Sequence, residues 1–210
     1  MNNENQQEKT RTILAFFMLP IIIALIATLA ALGGERVTIW LRYDREGILH
    51  GEIWRVFTAH IVHLGWQHLL MNLAGLFLIW ALFGRMLGNR AWIMVLLLSA
   101  IAITLGLMFF NIHIRWYVGL SGVLHGLFLT GALLAIYAGY RAEILLLVFI
   151  IGKLAWEQHN GPLPGSAAMA GGNVLVDAHL YGAIAGVLAA MYFIARKGLR
   201  AKSRGQNPGS

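Results

Sequence analysis

The run WYVGLSGVLHGL, Trp116 to Leu127, sets a serine between two glycines, Gly119 and Gly122, and places a histidine four residues on. It heads a hydrophobic segment, where a hydroxyl and an imidazole are costly unless paired or used. A serine within hydrogen-bond reach of a histidine loses its proton as it attacks a carbonyl carbon. Two histidines qualify as the base. His125 is four residues from Ser121 on the same helix, which gives poor control of the angle of attack. His179 comes from a later segment and is read as the base, with His125 as a polar support packed near it; Gly119 and Gly122 support the serine. The oxyanion of such an attack needs hydrogen-bond donors. HIVHLGWQHLLMN, His60 to Asn72, supplies them: His68 and Asn72 stand four apart on one helical face. The N–H of Ser121 at a helix start is a third.

What positions these groups follows from hydropathy. The 210 residues are 59% hydrophobic and 12% charged, with mean hydropathy +0.69. A soluble domain carries about 25% charged residues. Six apolar segments can be drawn: Ile13–Leu32, Leu69–Leu87, Ala91–Phe110, Val118–Tyr137, Ile144–Trp156 and Ala178–Ala195. Most approach the roughly 20 residues a spanning helix needs; the fifth is short. The first is too long for a signal-peptide core and is read as a retained helix. This predicts an all-α membrane protein, with a six-helix domain over residues 13–195. Residues 1–12 are expected to be a disordered cytoplasmic segment and 196–210 a basic cytoplasmic tail.

Charge gives the orientation. With the N-terminus inside, the inner segments hold Lys9, Arg11, Arg85, Arg90, Arg141, Arg196, Lys197, Arg200, Lys202 and Arg204 against Glu4, Glu8 and Glu143. The outer segments balance Arg36, Arg42, Arg45, Arg55, Arg115 and Lys153 with Glu35, Asp44, Glu46, Glu52, Glu157 and Asp177. Basic residues gather on the cytoplasmic side, so both termini are expected there. The formal charge of +7 then needs no nucleic acid. Segments two, four and six all enter from the outer face, so their polar tips share one depth.

Glycine spacing says which helices meet. Gly122 and Gly126, and Gly182 and Gly186, are small-xxx-small pairs that let backbones approach closely. His179, Gly182 and Gly186 lie on one helical face. Packing the two faces together brings Ser121 to His179.

GLSG, the later AHLYGAIAG (Ala178–Gly186), HLLMN of segment two and the preceding EIWR (Glu52–Arg55), in this order, resemble the rhomboid intramembrane proteases. The resemblance runs from about Glu52 to Gly186. It implies a six-transmembrane-helix rhomboid-like bundle, a Ser121–His179 dyad, and an oxyanion hole of His68, Asn72 and the Ser121 amide. Two positions depart from the common pattern: His125 stands where many members have an aromatic residue, and Gly84 where many have glutamate. The compact chain and GLSGVLHG look more like the rhombosortase branch. That branch implies cleavage of C-terminal GlyGly-containing sorting tails of exported proteins.

The expected activity is therefore a serine endopeptidase of the bacterial cytoplasmic membrane, opening to the outer side, with transmembrane or C-terminal hydrophobic tails as partners. No cofactor, metal or nucleic acid is expected. His60 and His63 lack an HExxH arrangement and are read as loop-bonding residues. No cysteine is present, so a thiolate metal site is excluded. Asp177 is read as a helix cap, and Glu52 and Arg55 as anchors of the outer loop. A rhomboid-like binder of membrane helices that does not cut them is the alternative. A small transporter fits less well, because the polar groups cluster near one surface and not at midplane.

Overall fold

A computed structural model describes residues 2–205, with side chains described for 16–197. The chain is built almost wholly of helices: α1 (Asn2–Leu32), α2 (Gly34–Leu41), α3 (Arg45–Leu49), α4 (Arg55–Thr58), α5 (Trp66–Phe109), α6 (Ser121–Tyr137), α7 (Glu143–Asn160), α8 (Ser166–Ala170) and α9 (Val176–Gly205). Segments two and three lie together in α5, whose helical geometry breaks only at Gly88 (φ 68°, ψ 161°). Only glycine takes such a φ without strain. By length and hydropathy, α5 and the Val176–Lys197 part of α9 are long and apolar enough to cross a membrane. Phe16–Leu32 and Gly34–Leu41, bent by 118°, make a third if counted as one span.

Several sequence expectations change. α1 is helical from Asn2, through the stretch expected to be disordered to residue 12; Glu, Gln and Lys are good helix formers that let a helix continue past its apolar part. α9 likewise runs to Gly205 through most of the tail expected over 196–210, whose last five residues lie outside the described ones. α6 begins at Ser121 and not at Val118. α7 extends past Trp156 to Asn160.

α6 is apolar all round and buried along most of its length, as a central helix should be. Leu76, Trp80 and Phe83 of α5 pack around it, with Val95, Ile103 and Leu107 further along α5 and Ala189 of α9. At 17 residues it is about 25 Å long, short of the roughly 30 Å hydrocarbon core. Large apolar side chains face outward on the peripheral helices, among them Leu25 and Leu29 of α1, Leu145 and Phe149 of α7, and Leu188 and Met191 of α9. Exposed apolar surface on this scale needs an apolar solvent. The chain is an integral membrane protein.

The α6–α9 contact is backbone against backbone. A Cβ on Gly182 would overlap the Gly122 carbonyl, and one on Gly186 the Gly126 carbonyl. A Cβ on Gly122 would stand 2.7 Å from the Ala178 carbonyl oxygen. Thr130 Oγ donates to the carbonyls of Gly126 and Gly186, at 2.8 and 2.9 Å, stitching the two helices below the glycines.

The segment between α1 and α5 forms a cap around the start of α6. β1 (Tyr43–Asp44) pairs antiparallel with β2 (Trp116–Tyr117), Tyr43 opposite Tyr117. Arg55 pairs with Glu52 and donates to the carbonyls of Ile39 and Arg42 at 2.8 and 2.9 Å. Arg45 donates to the Leu107 and Met108 carbonyls, closing the C-terminal end of α5 as a cation does best. The Gly119 N–H donates to the Ala59 carbonyl at 3.0 Å. The Gly119 carbonyl accepts from Tyr117 Oη at 2.8 Å and from His60 Nδ1 at 3.3 Å. The turn before Ser121 is thus fastened from three sides.

His60 is buried in this cap, and burial lowers its pKa to about 4. Burial, then the neighbouring His68, lower that of His63 to about 3. An unfolded histidine titrates near 6.5. Between that pH and the folded value the unfolded chain binds more protons, so stability falls as the pH drops through this window. His60 alone accounts for about 3 kcal/mol of loss by pH 4. The thermal midpoint in detergent is expected to be level above pH 7 and to fall steadily from pH 6.5 to 4. His60→Gln, which keeps a donor but does not titrate, should flatten that slope; an unchanged slope would exclude His60 as its source.

Candidate active site

Ser121 is the first residue of α6, so its N–H and the next two have no partner within the helix. Gly119, at φ 125°, turns the chain into that start. A Cβ there would stand 2.9 Å from the His68 ring, so the absent side chain lets His68 lie against the turn.

The Ser121 Oγ and His179 Nε2 are 2.9 Å apart. His179 is 5% exposed, and its Nδ1 lies 2.9 Å from Glu157 Oε2. Glu157 is 2% exposed. Its other oxygen accepts from Lys153 Nζ at 2.7 Å, and Lys153 Nζ is also 3.0 Å from His125 Nε2. His125 Nδ1 is 2.7 Å from the Ser121 carbonyl. The rings of His125 and His179 stack, 4.3 Å apart at 16°.

These contacts fix every proton. A carbonyl only accepts, so His125 Nδ1 carries hydrogen and its Nε2 takes one from the ammonium. A carboxylate only accepts, so His179 carries hydrogen on Nδ1. Its Nε2 lone pair is left facing the serine hydroxyl. The hydrogen bonds close a ring, from the Ser121 hydroxyl through His179, Glu157, Lys153 and His125 back to the Ser121 carbonyl.

His125, Glu157 and His179 offer ligand atoms within 4.8 Å of one another, a spacing that also suits a metal ion. The Lys153 ammonium already touches Glu157 and His125 in this cluster. It provides the positive charge that the carboxylate requires, and repels a second cation. The donor set is that of a hydrogen-bond network.

Ser121 and His68 line one cleft of about 630 Å³, bounded also by Trp116, Tyr117, Asn173 and Leu175. The Leu64 N–H points to His68 Nδ1 at 3.4 Å, which leaves Nε2 as the protonated, donating nitrogen. Asn72 is buried, and its Nδ2 has no hydrogen-bond partner among the described residues.

The structure therefore brings Ser121, His179 and His125 together, and sets His68 in the cleft with Ser121. Gly122, Gly126, Gly182 and Gly186 lie in the α6–α9 contact. Asp177 is not the cap of α9: it lies inside the first turn, where its carboxylate accepts from Asn111 Nδ2 at 2.7 Å. The charge balance sets Glu157 and Lys153 with the outer segments; in the structure both side chains turn inward. Their i, i+4 spacing on an apolar helix was the available signal, since an acid and a base so placed can enter a core as a pair.

A partly buried serine bonded to an oriented, buried histidine, in a helical membrane protein, defines a serine-hydrolase type of site within a bilayer. Residues 50–196 match the Rhomboid domain, and the chain belongs to the rhomboid family, a family of intramembrane serine proteases. It is 28% identical over 157 residues to the putative rhomboid protease YdcA of Bacillus subtilis (strain 168), covering 72% of each chain. It is 27% identical over 121 residues to the rhomboid protease GlpG of Salmonella paratyphi A and of Salmonella typhi. That match covers 58% of this chain and spans 43% of the GlpG length.

Proposed function

We propose that this protein is an intramembrane serine endopeptidase that cuts transmembrane segments of exported proteins near the outer face of the bacterial cytoplasmic membrane. The observation that carries the reading is the 2.9 Å contact between Ser121 Oγ and His179 Nε2, in a cleft shared with His68. Ser121 attacks the scissile carbonyl as His179 takes its proton, and His179 then returns the proton to the leaving amine. The Ser121 N–H, His68 Nε2–H and Asn72 Nδ2 donate to the oxyanion; the unpartnered Asn72 amide supports this role. Loss of one such donor costs about 10²–10³ in rate.

In this reading six helical spans cross the bilayer, with α5 giving two of them on either side of Gly88. Both termini lie in the cytoplasm and the cleft opens outward. Arg85 and Arg90 flank Gly88, in keeping with a cytoplasmic turn. A substrate helix must unwind to expose its carbonyl, which glycine favours. The rhombosortase resemblance agrees with a GlyGly-containing junction before a hydrophobic C-terminal tail.

Purified protein in detergent is expected to cleave such a tail without added metal or nucleotide. A fluorophosphonate probe should label it, and Ser121→Ala should abolish both cleavage and labelling. Cleavage retained by Ser121→Ala would overturn the nucleophile. Capture of the tail with neither cleavage nor labelling would favour a non-catalytic binder.

A further inference from the structure

We infer that Glu157, held by Lys153, is a positioning residue for His179, so that the site works as a Ser–His–Glu arrangement with a lysine that orients the acid. The inference rests on Ser121 and His179 acting as nucleophile and base. Three observations carry it. The Glu157 carboxylate lies 2.9 Å from His179 Nδ1, on the opposite edge of the ring from the serine. It is buried, so it is not a surface ion pair that solvent would replace. Each of its oxygens has a separate task, one on His179 and one on Lys153.

The roles follow from proton bookkeeping. Glu157 Oε2 accepts the Nδ1 proton and so leaves the Nε2 lone pair for the serine hydroxyl. When Nε2 takes the serine proton, the ring becomes a cation beside a carboxylate already in place. No proton need pass to Glu157; its part is to hold the tautomer and stabilise the imidazolium. Lys153 keeps the carboxylate from turning away and balances its charge while His179 is neutral. His68 from α5, His125 from α6, and Glu157 and Lys153 from α7 are the titratable groups packed around His179. Glu157 is the sole acid among them.

The lysine makes the test specific. In Glu157→Gln the ammonium keeps the amide oxygen, because it can only donate. The amide NH₂ then faces His179 Nδ1 and donates to it, forcing the proton onto Nε2, where it blocks the serine. We expect kcat to fall about 10²–10⁴-fold with KM changed less than about threefold, and fluorophosphonate labelling of Ser121 to slow in parallel. In the double variant Lys153→Met with Glu157→Gln the amide is free to rotate. Its oxygen can then accept from Nδ1, and kcat should recover at least tenfold over Glu157→Gln alone. Glu157→Asp should retain more activity than Glu157→Gln. A purely structural glutamate predicts no recovery in the double variant and a loss that follows the thermal midpoint, which is measured for each variant. Equal rates for the two variants, or wild-type labelling by Glu157→Gln, would overturn the inference. Since Ser121→Ala is assayed alongside, these outcomes leave the serine–histidine assignment standing or falling by its own result.

Discussion

His179→Ala is expected to lower kcat/KM by about 10⁴- to 10⁶-fold, the range seen when the base of a serine hydrolase is removed. His125→Ala should cost no more than about 10²-fold, as a small misplacement of reacting groups does. The contrast separates two histidines whose rings lie only 4.3 Å apart. His179 Nε2 faces the serine hydroxyl, whereas His125 meets the serine at its carbonyl, which takes no part in proton transfer. In the proposed mechanism His125 orders the helix start and fills the space beside the base, and His179 moves the proton. Cleavage kinetics with one tail substrate, together with the labelling rate, check this. A larger loss for His125→Ala than for His179→Ala would exchange their roles.

The second large effect is expected at a residue far from the reacting atoms in chemistry, though not in distance. Gly182→Ala adds one methyl group against the Gly122 backbone. Backbone cannot swing aside as a flexible side chain can, so α6 and α9 must move apart. Overpacking of this kind costs about 1–3 kcal/mol. It also lengthens the distance from serine to histidine, and a shift near 1 Å costs about 10²-fold in rate. Gly152→Ala is the matched control. Gly152 lies inside α7 with open space where its Cβ would go, and alanine is about 1 kcal/mol better than glycine in a helix. The thermal midpoint should fall for Gly182→Ala and hold or rise for Gly152→Ala. Equal midpoints would mean that the α6–α9 contact is not what the glycines secure.

These two cases show which parts of the molecule were readable in sequence. The α6–α9 contact was legible because its signal is local: each helix carries its own glycine pair, and His179 keeps helical register with Gly182 and Gly186. The serine, with its flanking glycines, was legible for the same reason. Glu157 was not. Its partner is 22 residues away on another helix, and a hydropathy profile ends the fifth segment at Trp156, just before the glutamate. An unpaired charge is costly in a bilayer, and the charge balance sets Glu157 and Lys153 with the outer segments without pairing them. Pairing with Lys153 removes that cost. Asp177 reads as a cap because aspartate is favoured there, but it lies one residue inside α9 and its carboxylate accepts from Asn111, just past the end of α5.

The cap between α1 and α5 was equally opaque. Its helices are as short as four residues, too short to hold by propensity. They persist through long-range bonds, such as those of Arg55 to Ile39 and Arg42 and of Thr58 Oγ to the Leu41 carbonyl at 2.6 Å. Composition gives no hint of such pairings. EIWR announced that the segment mattered, and the described hydrogen bonds show how it reaches the turn before Ser121.

The glycine seam between α6 and α9 has a mechanical consequence. Most helix pairs stand off by the thickness of their side chains, and their spacing yields when those chains change rotamer or a membrane grows thicker or thinner. Here the main chains themselves are the bearing surface, and the proposed nucleophile and base ride on the two rods just above it. Peripheral helices can tilt to match different lipids while the gap across which the proton hops keeps its width.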